Sequence, residues 1–209
     1  MRAPPPTLLV AVSLCLGCGP GNPSVAPATP TQAPPAETES PQVAAGYGTL
    51  LQDQISLRLQ SGQLLIKVTP LAEEIIRLTA PDTYERLRGL AEIHGPRAAR
   101  NLVASRASLF LVSLFSYAPD VTYEPEDLLL VNNGLRRRPE GIAPITPSWG
   151  TQRLAQQETR MAVYAFDGAI EWETDLEVEY QGLRNEEWQD RVFPLLEAER
   201  TKVRARGGG

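Results

Sequence analysis

Five carboxylates occupy every second position of one short stretch: Glu171, Glu173, Asp175, Glu177 and Glu179. In a single extended strand side chains alternate, so all five would project from one face about 7 Å apart. A Ca²⁺ ion needs several oxygens converging at about 2.3–2.6 Å, which a loop supplies more readily than a straight strand. The row therefore reads first as a solvated face that discourages edge-to-edge pairing, and second as a surface for a cation or a basic partner. Arg136, Arg137 and Arg138 follow Asn133-Gly134. They read as a basic loop, either a solvated turn or a clamp for an acidic polymer or a lipid headgroup. His94 is the single imidazole, so any Ser-His-Asp or Cys-His catalyst would have to use it. No Gly-x-Ser-x-Gly elbow partners it, and just before Gly95-Pro96 it reads as a cation capping a helix C-terminus. The pairs Glu73-Glu74 and Glu186-Glu187 would resemble a glycosidase pair only across a cleft. Walker, Rossmann, zinc and kinase signatures are absent. No catalytic residue, metal-ligand set or cofactor is expected.

The whole-chain charge narrows the partners. Twenty Lys and Arg against 25 Asp and Glu leave a net charge of −5, whereas phosphate binding as a main task needs a dominant basic surface. Nucleic acid is therefore not expected as the partner. The N-terminus carries an address. Met1-Arg2 is followed by an uncharged run from Thr7 to Gly17, too short to span a bilayer at roughly 20 residues but the right length for the apolar core of a signal peptide. Cys15 and Cys18 are the two cysteines. They form a C-x-x-C with no βαβ unit around it, and a disulfide there would close no loop worth constraining. Leu14-Cys15-Leu16-Gly17-Cys18 resembles a bacterial lipobox, with Cys15 and Leu16 departing from the commonest residues. The resemblance implies cleavage before Cys18 and a lipid on its sulfur, with ordinary signal-peptidase cleavage as the alternative. Gly19 after the anchor, in place of a retaining Asp, implies sorting to an outer membrane.

Gly19 to Pro41 contains seven prolines and almost no large apolar side chain. Such a segment cannot bury enough surface to offset chain entropy, and proline favours extended polyproline II. We read residues 18–45 as a lipidated start and a semi-stiff spacer; at about 3.1 Å per residue its proline-rich part would reach roughly 70 Å.

Residues 46–206 read as one folded domain. Apolar residues alternate from Asp53 to Gln60, Ser61-Gly62-Gln63 is a turn, and Leu64 to Thr69 returns, which predicts a hairpin. Asp82-Thr83-Tyr84-Glu85 resembles a helix start with Asp as the cap. Leu87, Leu90, Ala91 and Ile93 or His94 continue its stripe, Gly95-Pro96 should stop it, and a second short helix would run from about Pro96 to Ser105. Ser108 to Ser116 is a continuous apolar run, hence a central strand, and short strands follow at 120–123 and 128–131. Gly134 to Gly150 reads as a long connection. Met161 to Phe166, Asp167-Gly168 and Ala169 to Trp172 suggest a type I′ hairpin that would set Arg160 opposite Asp175. A final helix from about Glu186 to Arg204 would bury Trp188, Val192, Leu195 or Leu196, and Glu199.

Short strands punctuated by turns, without strand–helix alternation, predict a mainly β protein: an antiparallel sandwich with an inserted helical segment and a C-terminal helix. The order of strands from Ser108 to Tyr180 resembles the telokin-like, immunoglobulin-type sandwiches found behind lipoprotein signals in bacteria. The resemblance implies a fold and an envelope location, and no activity. The expectation is a lipid-anchored, non-catalytic binding or scaffolding module of the cell envelope; a Ca²⁺- or ligand-binding module is the alternative, and an envelope hydrolase the third.

Overall fold

Alternation holds only in the second half of the first expected strand: Gln52–Gln54 form a 3-10 turn, and the strand begins at Leu57. In the computed structural model, which describes residues 46–103 and 106–207, β1 (Leu57–Ser61) pairs antiparallel with β2 (Leu64–Pro70) around a two-residue turn at Gly62-Gln63. Leu57 and Leu59 lie buried beside Val68 and Ile66, while Arg58 and Gln60 stay exposed. The predicted signal peptide, Cys18 and the spacer fall outside the described residues.

The chain is mainly β. One antiparallel sheet has the order β1-β2-β3-β9-β7, with β3 at Ala107–Ser116, β7 at Pro139–Pro144 and β9 at Thr159–Asp167. A second has the order β11-β10-β5-β6, with β5 at Leu128–Asn132, β6 at Leu135–Arg137, β10 at Leu176–Tyr180 and β11 at Leu183–Asn185. β4 (Val121–Thr122) and β8 (Arg153–Leu154) make a separate two-stranded ribbon. Ile66, Val112, Leu114 and Tyr164 of the first sheet meet Leu128 and Tyr180 of the second around a gap of only about 10 Å³, room for no more than one water. Tyr164 donates its hydroxyl proton to the Pro125 carbonyl at 3.0 Å, and the Tyr180 hydroxyl accepts from the Glu124 amide at 3.0 Å, so the phenols in this core are satisfied.

The helical insertion lies between β2 and β3, as expected: α1 (Glu73–Ile76) and α2 (Pro81–Ala98). Its boundaries differ from the reading. α2 begins at Pro81 with no side-chain cap, so Asp82 is inside the first turn. It also runs through Gly95-Pro96 to Ala98, so Pro96 lies inside it and starts no helix of its own among the described residues. Tertiary packing outweighs the proline. A side chain on Gly95 would lie 2.6 Å from Leu109, and one on Gly141 would lie 1.9 Å from the Ala98 carbonyl oxygen. The bare backbone at these two positions lets the last turns of α2 press directly on β3 and β7. His94 is consequently inside the helix, half-buried, and caps nothing.

Two further expectations fail for topological reasons. The connection 134–150 contains β6 and β7, and the type I′ turn sits at Asn133-Gly134 (φ 52° and 72°) rather than at Asp167-Gly168. β9 cannot form the predicted hairpin because β3 and β7 already flank it. After Gly168 the chain crosses to the other sheet, where β10 pairs with β5. Arg160 therefore faces Leu114, not Asp175. Buried Asn132 staples the crossing: its amide donates to the Asp175 carbonyl at 2.9 Å and accepts from the Glu171 amide at 3.0 Å.

The C-terminal helix forms with the predicted buried stripe. A turn of π-helix, Trp188–Val192, runs without a break into α3 (Phe193–Gly207), with Pro194 just past the junction. Trp188, Val192 and Leu196 are fully buried, and Glu199 is almost so. The Glu199 carboxylate accepts from the Thr49 amide at 2.9 Å and hydroxyl at 3.0 Å, and pairs with Lys202 and Arg206. Burial pushes its pKa up, but the Thr49 and Lys202 bonds outweigh burial and hold it below the ordinary 4.5. A carboxyl depressed in the folded state stabilises above its unfolded pKa and loses that contribution as pH falls. Glu199→Gln is accordingly expected to cost about 2 kcal/mol at pH 7 in urea unfolding. The gap to the parent should narrow below about pH 4.5; a gap constant from pH 7 to 3 would contradict the assignment.

Candidate functional site

The acidic row and the arginine run, read from sequence as separate surfaces, meet on the outer face of the second sheet. Strand alternation leaves only Glu177 and Glu179 projecting outward from β10; Glu171, Glu173 and Asp175 belong to the preceding crossing and do not share that face. Across β5, the register sets Glu177 opposite Val131, and Val131 opposite Arg136 of β6. Glu179 lies opposite Arg184 of β11. The Arg136 guanidinium sits 2.8 Å from the Glu179 carboxylate, and Arg184 lies 3.3 Å from Glu179 and 3.5 Å from Glu177. Two carboxylates and two guanidiniums thus neutralise one another around buried Val131 and half-buried Leu129. Glu179 is buried beneath the two exposed arginines, and the pairing leaves no converging oxygens for a cation.

The three arginines separate because β6 and β7 are strands and not the loop expected there. Arg136 turns to Glu179. Arg137 donates to the Ala169 carbonyl at 2.8 Å, holding the crossing after Gly168. Arg138 lines a hollow of about 440 Å³ with Glu124, Glu126, Asp127 and Trp149. Of the remaining acids, the Glu171 carboxylate accepts from the Asn133 side-chain amide at 2.7 Å, whereas Glu173 and Asp175 are exposed, and only the backbone carbonyl of Asp175 serves Asn132.

The glutamate pairs end in different hollows. Glu73 accepts from Tyr84 at 2.8 Å and Arg77 at 2.6 Å beside Arg88, at the rim of a hollow of about 390 Å³. Glu74 faces Arg106 and Trp172 in another. Glu187 shares a hollow of about 480 Å³ with Asp53, Arg58 and Arg191, and Glu186 is exposed. Asp53 and Glu187 share this groove, as Glu124, Glu126 and Asp127 share the hollow beside Arg138; the first two are held by cations and amides. Lys67 holds Asp53 below the ordinary range, and Asn185 with Arg191 does the same to Glu187. Neither therefore stores a proton at neutral pH, which a general acid must do. Among the described residues, no three of His, Cys, Asp and Glu gather as a metal-holding group.

Reading the sequence missed the polar groups that the core itself uses. Arg160 is 5% exposed on the inner face of β9, bonded to Glu158, Thr151 and the Ser148 carbonyl. Its signal was a charged residue at an inward position of a strand rich in apolar residues. Asn132 carried no signal beyond its place before a turn.

No helix among the described residues is long and apolar enough to cross a membrane. No family model matches the chain, and no curated protein does. A solved structure described as a functionally unknown protein from Listeria monocytogenes EGD-e resembles it at 13% identity over 63% of this chain and 72% of that one, with a TM-score of 0.33.

Proposed function

We propose that this protein is a lipid-anchored component of a bacterial cell envelope, attached through Cys18 to the outer membrane, whose β domain binds or scaffolds another envelope component without catalysis. One observation carries the reading. The uncharged run Thr7 to Gly17 ends directly in Leu14-Cys15-Leu16-Gly17-Cys18, and the seven-proline stretch from Gly19 to Pro41 follows at once. Anchor, spacer and folded domain come in the order a tethered protein requires. The scaffolding part is supported by the outer charges of the second sheet, which bond one another in pairs and would suit a flat protein contact. The immunoglobulin-type kinship suggested by the strand pattern belongs to the same proposal.

Intact mass of the protein purified from its host's membranes, beside Cys18→Ala, tests it. A chain beginning at Cys18 with a lipid-sized increment, absent from the variant, is expected. An unlipidated chain in the soluble fraction would overturn the anchor.

A further inference from the structure

The C-terminal end of α2 displays a surface that the charge pairs elsewhere do not explain. From Ile93 to Arg106 the chain carries Arg97, Arg100, Arg106 and His94 but no acid, in a protein whose net charge is −5. Ile93 and Arg97, spaced i, i+4, share the outward stripe of the helix end, and Arg100 lies on the turn that follows it. All three are exposed, Ile93 at 68%. Val103 on the turn beyond is 65% exposed. Arg97 and Arg100 make no ion pair among the described residues, and Arg106 only approaches Asp167 at 3.9 Å. The nearest acid on the helix, Glu92, is taken by Arg88 at 2.7 Å. Gly95 and Gly141 seat this end of α2 rigidly on β3 and β7, so the stripe is fixed in place.

We propose that this end of α2 docks on anionic phospholipid headgroups, with Arg97 and Arg100 at the phosphates and Ile93 and Val103 entering the interface. Large apolar side chains standing in water between cations have that complementarity: the headgroups meet the charge, and the acyl boundary takes the apolar tips. The proposal rests on the envelope reading for the presence of a bilayer. Docking would lay the domain against the bilayer and fix which face it presents to a partner.

Flotation of the full chain carrying Cys18→Ala, with vesicles of phosphatidylcholine alone or with 30% phosphatidylglycerol (about one lipid in three), is the test. Binding to the anionic vesicles is expected, weakened at high salt, and about 30-fold weaker in Arg97→Glu/Arg100→Glu. Ile93→Ser should weaken it about tenfold, and all these exposed variants should melt with their parent. Equal binding to both vesicle types, no binding, indifference to the arginine pair, or equal affinity for soluble polyphosphate would overturn the docking face. Because the anchor is absent throughout, a native protein found unlipidated leaves this result standing. A lipidated protein whose Cys18→Ala form never floats sinks the docking face alone.

Discussion

Trp188→Ala is expected to lower the free energy of unfolding by about 3–5 kcal/mol, a large part of what a single domain possesses. Trp188 is fully buried, and its indole N–H donates to the Trp172 carbonyl at 2.9 Å. The two indoles pack at 5.7 Å, and Trp172 in turn meets Phe110 of β3 at 6.0 Å. Truncation would open a cavity, orphan a buried carbonyl, and cut the chain of rings that joins the π-turn to the first sheet. α3 would keep only Leu196 and Glu199 as buried anchors beyond Val192. In thermal denaturation the midpoint should fall by roughly 10 °C. Trp188→Phe retains a ring but loses the donor, and should cost about half as much. A Trp188→Ala protein melting within about 2 °C of the parent would show that α3 is not held through this residue.

The stripe that buries Trp188 was readable because its period is local: Trp188, Val192, Leu196 and Glu199 recur at helical spacing whatever they pack against. The β1–β2 hairpin and β3 were readable for the same reason, through alternation and an unbroken apolar run. What failed depends on neighbours distant in sequence. β9 looks like half of a hairpin until β7 is known to occupy its other edge. β7 itself hides behind Pro139, Pro144 and Glu140, residues that an edge strand tolerates and a central one does not. Pro96 looks like a stop until Gly95 and Gly141 are seen to bring the helix end onto the sheet. The candidate surfaces divide in the same way. The charges of Glu177, Glu179 and Arg136 are plain in the sequence, but their mutual neutralisation follows from the β10-β5-β6 order. Ile93 beside Arg97 is conspicuous only once the other face of α2 is known to be buried.

Arg160 is where a charge has entered the core, and its replacement is expected to be as costly as that of Trp188. The residue projects from β9 in the row Ile66–Leu114–Arg160, among side chains that are otherwise apolar. Its guanidinium bonds the Glu158 carboxylate at 2.8 Å and reaches the Ser148 carbonyl and the Thr151 hydroxyl, which belong to the 3-10 segment Pro147–Thr151. That segment carries Trp149, whose ring lies 5.4 Å from Tyr123 and 6.1 Å from Tyr164. The arginine thereby holds the aromatic lid on one end of the sandwich. Glu158 keeps the Arg160 pKa raised, and Arg160 keeps that of Glu158 lowered, so both remain charged at neutral pH. Arg160→Met would leave Glu158 uncompensated and two polar groups unpaired, costing about 3–5 kcal/mol. Arg160→Lys keeps the charge but not the fork, and should lose about 2 kcal/mol. Replacing both partners, as Arg160→Met with Glu158→Leu, removes the stranded charge and should recover part of the loss. Chemical unfolding of the parent, Arg160→Met, Glu158→Leu and the double variant decides it: purely additive losses would mean that the pair is not coupled, and that the segment is held by Trp149 packing alone.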